Sequence, residues 1–285
     1  MSFDLTNLQR IPGFKVLVER DAECHMRDNT ILRSDIYRPD EDGSYPVLLI
    51  RGPYDKRVGL SSFGNSHPAW FAEHGYIVII QDTRGRFASE GEFYPFAYEA
   101  EDGFDSVEWA ARVTGSDGQV GMFGFSYLGA TQLLAATTRP PSLKAIVPGF
   151  TASQYFDGWT YNSGAFALGF NCYWANLLAM DTAARNQNIS DLEELSLSLG
   201  SASNWFWSTP LKNYPPLKSK SADYFFDWLA HPTYDEYWKR WSIDEDYSRI
   251  DVPALHIAGW YDIFLSGSVN NFCGISRDGG SANTR

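Results

Sequence analysis

Residues 15–20 and 31–38 alternate apolar and polar side chains, the two-residue period of strands with one face on a core. The polar turn Arg27-Asp28-Asn29-Thr30 between them predicts an antiparallel hairpin. The pattern then changes. Residues 46–50 and 77–80 are short, nearly continuous apolar runs, the form taken by parallel strands covered on both faces by helices. A short helix is predicted between them over 69–74. From Glu99, the apolar positions Ala100, Phe104, Val107 and Ala111 recur at helical spacing, with Glu99, Glu101 and Asp102 suited to a positive helix N-terminus. Another apolar run, 120–123, is expected near the centre of the sheet. It is followed by a small-residue helix over 127–138 that Arg139-Pro140-Pro141 stops. Residues 144–148 read as the next strand. From 151 to 247 strand-like runs cease and aromatics at helical spacing take over, which predicts an inserted helical cap. The sheet resumes at 252–258, a helix follows over 264–275, and 276–285 read as flexible loop.

The composition supplies ample core for a large α/β fold: 285 residues, 44% hydrophobic and 16% aromatic. The balance of 35 acidic against 23 basic residues, net −12, argues against nucleic acid and anionic membrane as partners. Residues 1–14 show no apolar signal core and no run of 18 apolar residues occurs, so the expected location is the cytoplasm, without a membrane span. Cys24, Cys172 and Cys273 lie far apart without a Cys-x-x-Cys pair, which reads as reduced thiols and neither a disulfide framework nor a metal site. Cys273 reads as a buried small hydrophobe.

The chemistry concentrates at Gly124-Phe125-Ser126-Tyr127-Leu128-Gly129, where the apolar run meets the small-residue helix. That is the form of a nucleophile elbow, a serine on a strained strand-to-helix turn, with glycines at 124 and 129 where a Cβ would collide with its neighbours. Serine needs a histidine base, and the histidine needs a carboxylate. Asp262, just past the resumed strand, stands where the chain order Ser, Asp, His puts the acid; it could equally cap the helix beginning near Ile263. His25, His67, His74, His231 and His256 all precede Asp262, so that order cannot be completed and none of them is assigned as base. His256 reads as a sheet histidine. An oxyanion hole is expected from the backbone N–H of Tyr127 and a donor in the loop 51–56. That loop lacks a glycine run; Tyr54 could donate its hydroxyl, or be a surface-turn tyrosine.

Four stretches occur in one order: Arg51-Gly52-Pro53-Tyr54-Asp55-Lys56; Asp82-Thr83-Arg84-Gly85-Arg86 with Ser89-Glu90-Gly91; the elbow; and Gly259-Trp260-Tyr261-Asp262. In this the chain resembles the cocaine esterase and Xaa-Pro dipeptidyl-peptidase-like serine hydrolases (the CocE/NonD type) over nearly its whole length. The resemblance implies Ser126 as nucleophile, Asp262 as triad acid, Tyr54 and the Tyr127 amide as oxyanion donors, and no cofactor. It further implies a histidine loop and a C-terminal jelly roll, where this chain departs. Ile263 and Phe264 after Asp262 replace the carboxylates with which related α-amino-acid ester hydrolases hold a substrate amine.

The expected architecture is an α/β-hydrolase fold with a mostly parallel central sheet: core residues 1–150 and 248–285, with the helical cap 151–247 between. The expected function is a serine acyl hydrolase cleaving small esters or amides through an acyl-enzyme on Ser126, as the N-terminal part of a longer enzyme. The expected partners are a small-molecule substrate and either a second copy of the chain or the C-terminal portion. The alternatives are a catalytically inactive hydrolase-fold binding protein and an Xaa-Pro dipeptidyl-peptidase.

Overall fold

The computed structural model describes residues 8–10, 15–58, 67–218 and 222–284. Strands β2 (Val16–His25) and β3 (Ile31–Pro39) form the antiparallel hairpin, with β1 (Leu8–Arg10) added on the outside. A register shift between Glu19 and Ala22 lets β2 continue past the alternating segment, with Asp21 at φ 56°. Strands β4 (Tyr45–Gly52) and β5 (Ile77–Asp82) are parallel neighbours, and every residue of β5 is buried. Between them helix α1 (Pro68–Glu73) starts on His67, whose ring accepts the Ala69 N–H.

Helix α2 (Glu99–Ala110), β6 (Ser116–Phe125), α3 (Tyr127–Ala136) and β7 (Leu143–Gly149) complete one sheet of seven strands in the order β1-β2-β3-β5-β4-β6-β7. From β5 through β7 all neighbours run parallel. The chain is an α/β hydrolase in fold. Strand β6 stands sixth of the seven, off the centre expected for it, because the antiparallel β1–β3 ribbon extends only the far side.

Residues 252–258 do not form a full strand. They join β7 through parallel bridges at Ile146–Ala254 and Gly149–Ile257, and Leu255 on the outer side is exposed. Helix α8 (Leu265–Asp278) then packs back on the core with Ser268, Asn271 and Ile275, leaving Cys273 on its outer face; the expected burial of that thiol is wrong. The segment after it is tied down too, by Gly280 N–H to Ile250 O (2.7 Å) and the Ser281 hydroxyl to Asp251 O (2.8 Å), so it is not a free loop.

Between β7 and that edge lie α4 (Leu168–Arg185), α5 (Ile189–Gly200), α6 (Asp223–Ala230) and the short α7 (Glu236–Lys239), with 3-10 turns between them. A two-residue hairpin, β8 (Tyr161–Asn162) with β9 (Ala165–Phe166), interrupts the helical reading of this stretch. Its aromatics pack on one another: Trp174 lies nearly parallel to Trp228 (5.8 Å) and to Phe170 (5.9 Å). Among the described residues no helix is long and apolar enough to cross a membrane.

The buried face of α2 is displaced from the apolar stripe read in the sequence. It carries Glu99, Asp102, Gly103, Ser106, Val107 and Ala110, because its polar members meet buried partners: Arg51, Arg84 and Gln81 respectively for Glu99, Asp102 and Ser106. This polar interior leads to the candidate site.

Candidate active site

Ser126 stands between β6 and α3 with φ 59° and ψ −123°, a conformation that L-residues adopt only when their surroundings enforce it. Its own N–H is held by Gly149 O on β7 (2.9 Å), and its carbonyl takes the N–H groups of Gly129 and Ala130. Gly124 is at φ 144°, and a Cβ there would lie 2.6 Å from the Leu128 Cβ. The second glycine, 129, stands one position beyond Gly-x-Ser-x-Gly spacing. A Cβ on it would meet Thr151 at 2.9 Å and Gly149 O at 3.1 Å, so this is the residue that lets α3 lie against the end of β7. The serine is thus at the C-terminal end of a parallel strand and the N-terminal end of a helix, where backbone N–H groups are left without helical partners.

Tyr127, the first residue of α3, is fully buried and fixed through its side chain. Its hydroxyl donates to Glu99 Oε1 (2.9 Å) and accepts the Phe96 N–H (2.9 Å), while its ring stacks on Phe96. Glu99 in turn pairs with Arg51 (Nη1 to Oε2, 2.9 Å), and Arg51 Nε donates to Gln81 Oε1 (2.7 Å). Burial pushes the Glu99 carboxyl up from the ordinary range, against the opposing field of Arg51. Arg51 belongs to β4, not to a loop, and is 1% exposed. One buried chain of contacts therefore runs from the strand that launches the Tyr54 loop to the residue after the serine. Sequence reading missed it, taking Glu99 as a helix-end charge and Arg51 as a loop residue. The available signal was a charged residue closing an apolar run.

Tyr54 lies just past β4. Its hydroxyl accepts the indole N–H of Trp174 (3.1 Å) and also meets the Ser126 side chain; burial pushes the phenol up to about 12, and these two contacts oppose the shift. The structure thus brings Ser126 and Tyr54 together, with Tyr127 beside them. The loop is anchored from below by Lys56, which is 5% exposed and faces Asp21, Asp35 and Asp82. Asp82 takes the Lys56 N–H on Oδ1 (2.7 Å) and the Ala88 N–H on Oδ2 (3.3 Å), tying the loops after β4 and β5.

Asp262 follows the bridged segment, at the same C-terminal edge of the sheet. A line of contacts connects the two corners: Ser126 to Gly149, Phe125 edge-on to Phe150, and Phe150 N–H to Ile257 O (2.8 Å). The Asp262 carboxyl is pushed up by partial burial, opposed by the backbone N–H groups of Phe264 and Ile263, and its Oδ2 has no hydrogen-bond partner among the described residues. Those two amides precede α8, so the helix-start role and an orienting role draw on the same carboxylate. The histidines are engaged elsewhere: His25 with Glu23, His74 with Trp70 O and the Trp70 ring, and His231 with Asp235. His67 meets Ala69 N–H and Tyr37, and His256 lies edge-on to Phe272. Among the described residues no group of three or more His, Cys, Asp or Glu could hold a metal ion.

The profile of the X-Pro dipeptidyl-peptidase (S15) family matches residues 28–283. The cocaine esterase of a Rhodococcus species is 38% identical over 259 residues, which cover 88% of this chain and 45% of the esterase. A putative Xaa-Pro dipeptidyl-peptidase of Bacillus anthracis is 29% identical over 150 residues, 47% of this chain and 24% of its own. Among solved structures, a CocE/NonD family hydrolase from Staphylococcus aureus has a TM-score of 0.71 at 25% identity, covering 94% of this chain and 45% of its own. The chain spans less than half the length of each of these three relatives.

Proposed function

Since the chain belongs to the X-Pro dipeptidyl-peptidase (S15) family of hydrolases, we propose that it cleaves small esters or amides by acyl transfer to Ser126. The observation that carries this reading is the strained Ser126 beside the Tyr54 hydroxyl. In the proposed reaction Ser126 Oγ attacks the carbonyl carbon and gives its proton to a histidine. The charge that develops on the carbonyl oxygen is met by the Tyr54 hydroxyl and the Tyr127 N–H. The tetrahedral species expels the alcohol or amine, which takes the proton back from the histidine, and water then releases the acid by the same route in reverse. Asp262 orients that histidine through its carboxylate. Because all five histidines have other neighbours, the reading calls for an imidazole from a further segment of polypeptide. Trp159 and Phe170, packed against Trp174, and Phe264, stacked on Trp159, favour an apolar acyl group.

Hydrolysis of a short-chain aryl ester by the chain in an imidazole buffer, which supplies the base, compared with Ser126→Ala, tests this. All turnover above buffer is expected to vanish with the hydroxyl; turnover untouched by the substitution refutes the reading. The engaged histidines also favour a second reading, a non-catalytic hydrolase-fold protein. It predicts ester binding, seen as quenched tryptophan fluorescence, with no turnover in either protein.

A further inference from the structure

The cap helix α4 meets the Tyr54 loop by two bonds that nothing in the proposed chemistry yet uses. Trp174, 4% exposed, gives its indole N–H to the Tyr54 hydroxyl. One helical turn on, Leu178 O takes the Nη1 of Arg86 (2.8 Å), and the Nε of the same guanidinium reaches Pro53 O (3.2 Å). Arg86 is 1% exposed, so both ends of this clamp are shielded from water. The cap therefore holds the backbone just before Tyr54 and the tip of its side chain at once.

The polarity of the first bond matters. An indole is a donor only; it has no lone pair with which to take the phenolic proton. A tyrosine bonded to a carbonyl or carboxylate would spend its single proton there. Bonded to Trp174, Tyr54 instead accepts at that contact and spends no proton on it, which leaves the phenolic proton for its other neighbours, the Ser126 side chain among them. Donation to the phenol oxygen also strengthens the O–H as a donor, and it opposes the rise that burial imposes on the phenol. The indole cannot swing away easily. It is stacked against Trp228 and Phe170, edge-on to Trp159 at 5.4 Å, and 5.9 Å from the ring of Tyr127, whose amide is the other proposed donor.

We propose that Trp174 is a positioning residue for the oxyanion site: its indole N–H fixes the Tyr54 hydroxyl so that the phenolic proton faces the developing anion. The cap is then part of the catalytic geometry as well as the wall of the acyl site. This rests on Tyr54 being the oxyanion donor, so the test separates the two.

The test uses the full chain and a fluorophosphonate, whose reaction forms the Ser126 Oγ–P bond, expels fluoride and puts negative charge on the phosphoryl oxygen. Imidazole is added to every arm to take the serine proton, and rates are read by intact mass. Trp174→Phe keeps an aromatic ring in the stack and removes the N–H donor together with part of the indole's volume, a loss common to both Tyr54 backgrounds. It is expected to slow labelling about 5- to 10-fold when Tyr54 is present. In a Tyr54→Phe background, itself slower by about 10²–10³-fold, it should change the rate less than about twofold. The Trp174 indole ¹⁵N–¹H resonance should also shift when Tyr54 becomes Phe, a readout that needs no reactivity. Equal slowing by Trp174→Phe in both backgrounds, or an indole resonance indifferent to Tyr54→Phe, overturns the proposal while leaving Tyr54 in its role. Labelling unaffected by Tyr54→Phe overturns the Tyr54 reading, and the role of Trp174 falls with it.

Discussion

The two corners of the candidate site are built in opposite ways. At the serine corner the polar groups that shape the turn meet one another inside the protein: Arg51 with Glu99 and Gln81, Glu99 with Tyr127, Tyr54 with Trp174. At the aspartate corner the strand is reduced to bridges, the Asp262 Oδ2 is unmatched among the described residues, and the flanking Trp260 is 88% exposed. Ions and hydroxyls packed without water must be fully paired, because each unpaired one costs about 1–3 kcal/mol or more. The serine corner meets most of that demand, with Arg51 Nη2 left without a hydrogen-bond partner among the described residues; the aspartate corner leaves the shielded Asp262 Oδ2 unmatched while Trp260 beside it stands in water. Oxyanion stabilisation works through dipoles fixed before the reaction, so a rigid, dry corner suits it. A base must gain and lose a proton, and none of the histidines is committed to that task beside Asp262.

The largest effect should come from opening the closed corner. Glu99→Ala leaves Arg51 buried without its carboxylate and Tyr127 without its acceptor, and is expected to destabilise the chain by about 3–5 kcal/mol in urea denaturation. A loss of unfolding free energy of less than about 1 kcal/mol would mean that this network is not what fixes the elbow. Completing the open corner is the next test. Free imidazole should raise the rate of fluorophosphonate labelling at Ser126 by about tenfold, a modest part of what a positioned base supplies; a rate indifferent to imidazole would show that a base is already in place.

A smaller effect concerns pH and the carboxylate under the Tyr54 loop. Burial holds Asp82 up to about 6, against about 3.9 in an unfolded chain. Between those values the native state binds more protons than the unfolded one, so this group's contribution to stability falls as pH rises and is flat above about 6. The melting temperature of the wild type relative to Asp82→Asn should decline from pH 4.5 to 6.5 and then level off; a difference that grows with pH contradicts this sign. The smallest change belongs to the open corner. Trp260→Ser should alter unfolding free energy by no more than about 0.5 kcal/mol, since its ring contributes little burial here. A loss above about 2 kcal/mol would make this corner as closed as the other.

Much of this was legible in the chain itself. Apolar runs at 46–50, 77–80 and 120–123 have the length and flanks of strands under helices, and the small residues after Ser126 suit a helix lying close on the sheet. The glycines at 124 and 129 state the same constraint, since any side chain there strikes Leu128 or Thr151. Such features are local: neighbours along the sequence decide them. What the sequence could not announce is which distant polar groups meet in the interior. The spacing of Ala100, Phe104, Val107 and Ala111 found only part of the buried face of α2: Val107 is inside, and Glu99, Asp102 and Ser106 join it by virtue of Arg51, Arg84 and Gln81 on other elements. Trp174 looked like one aromatic among many in the cap, and only the folding of α4 over the β4 loop made its N–H the partner of Tyr54. A periodic pattern reports the hydrophobic effect, which depends on each residue's own burial. A buried hydrogen bond is a property of two residues far apart in the chain, here 120 positions, and the tertiary structure alone decides that they meet.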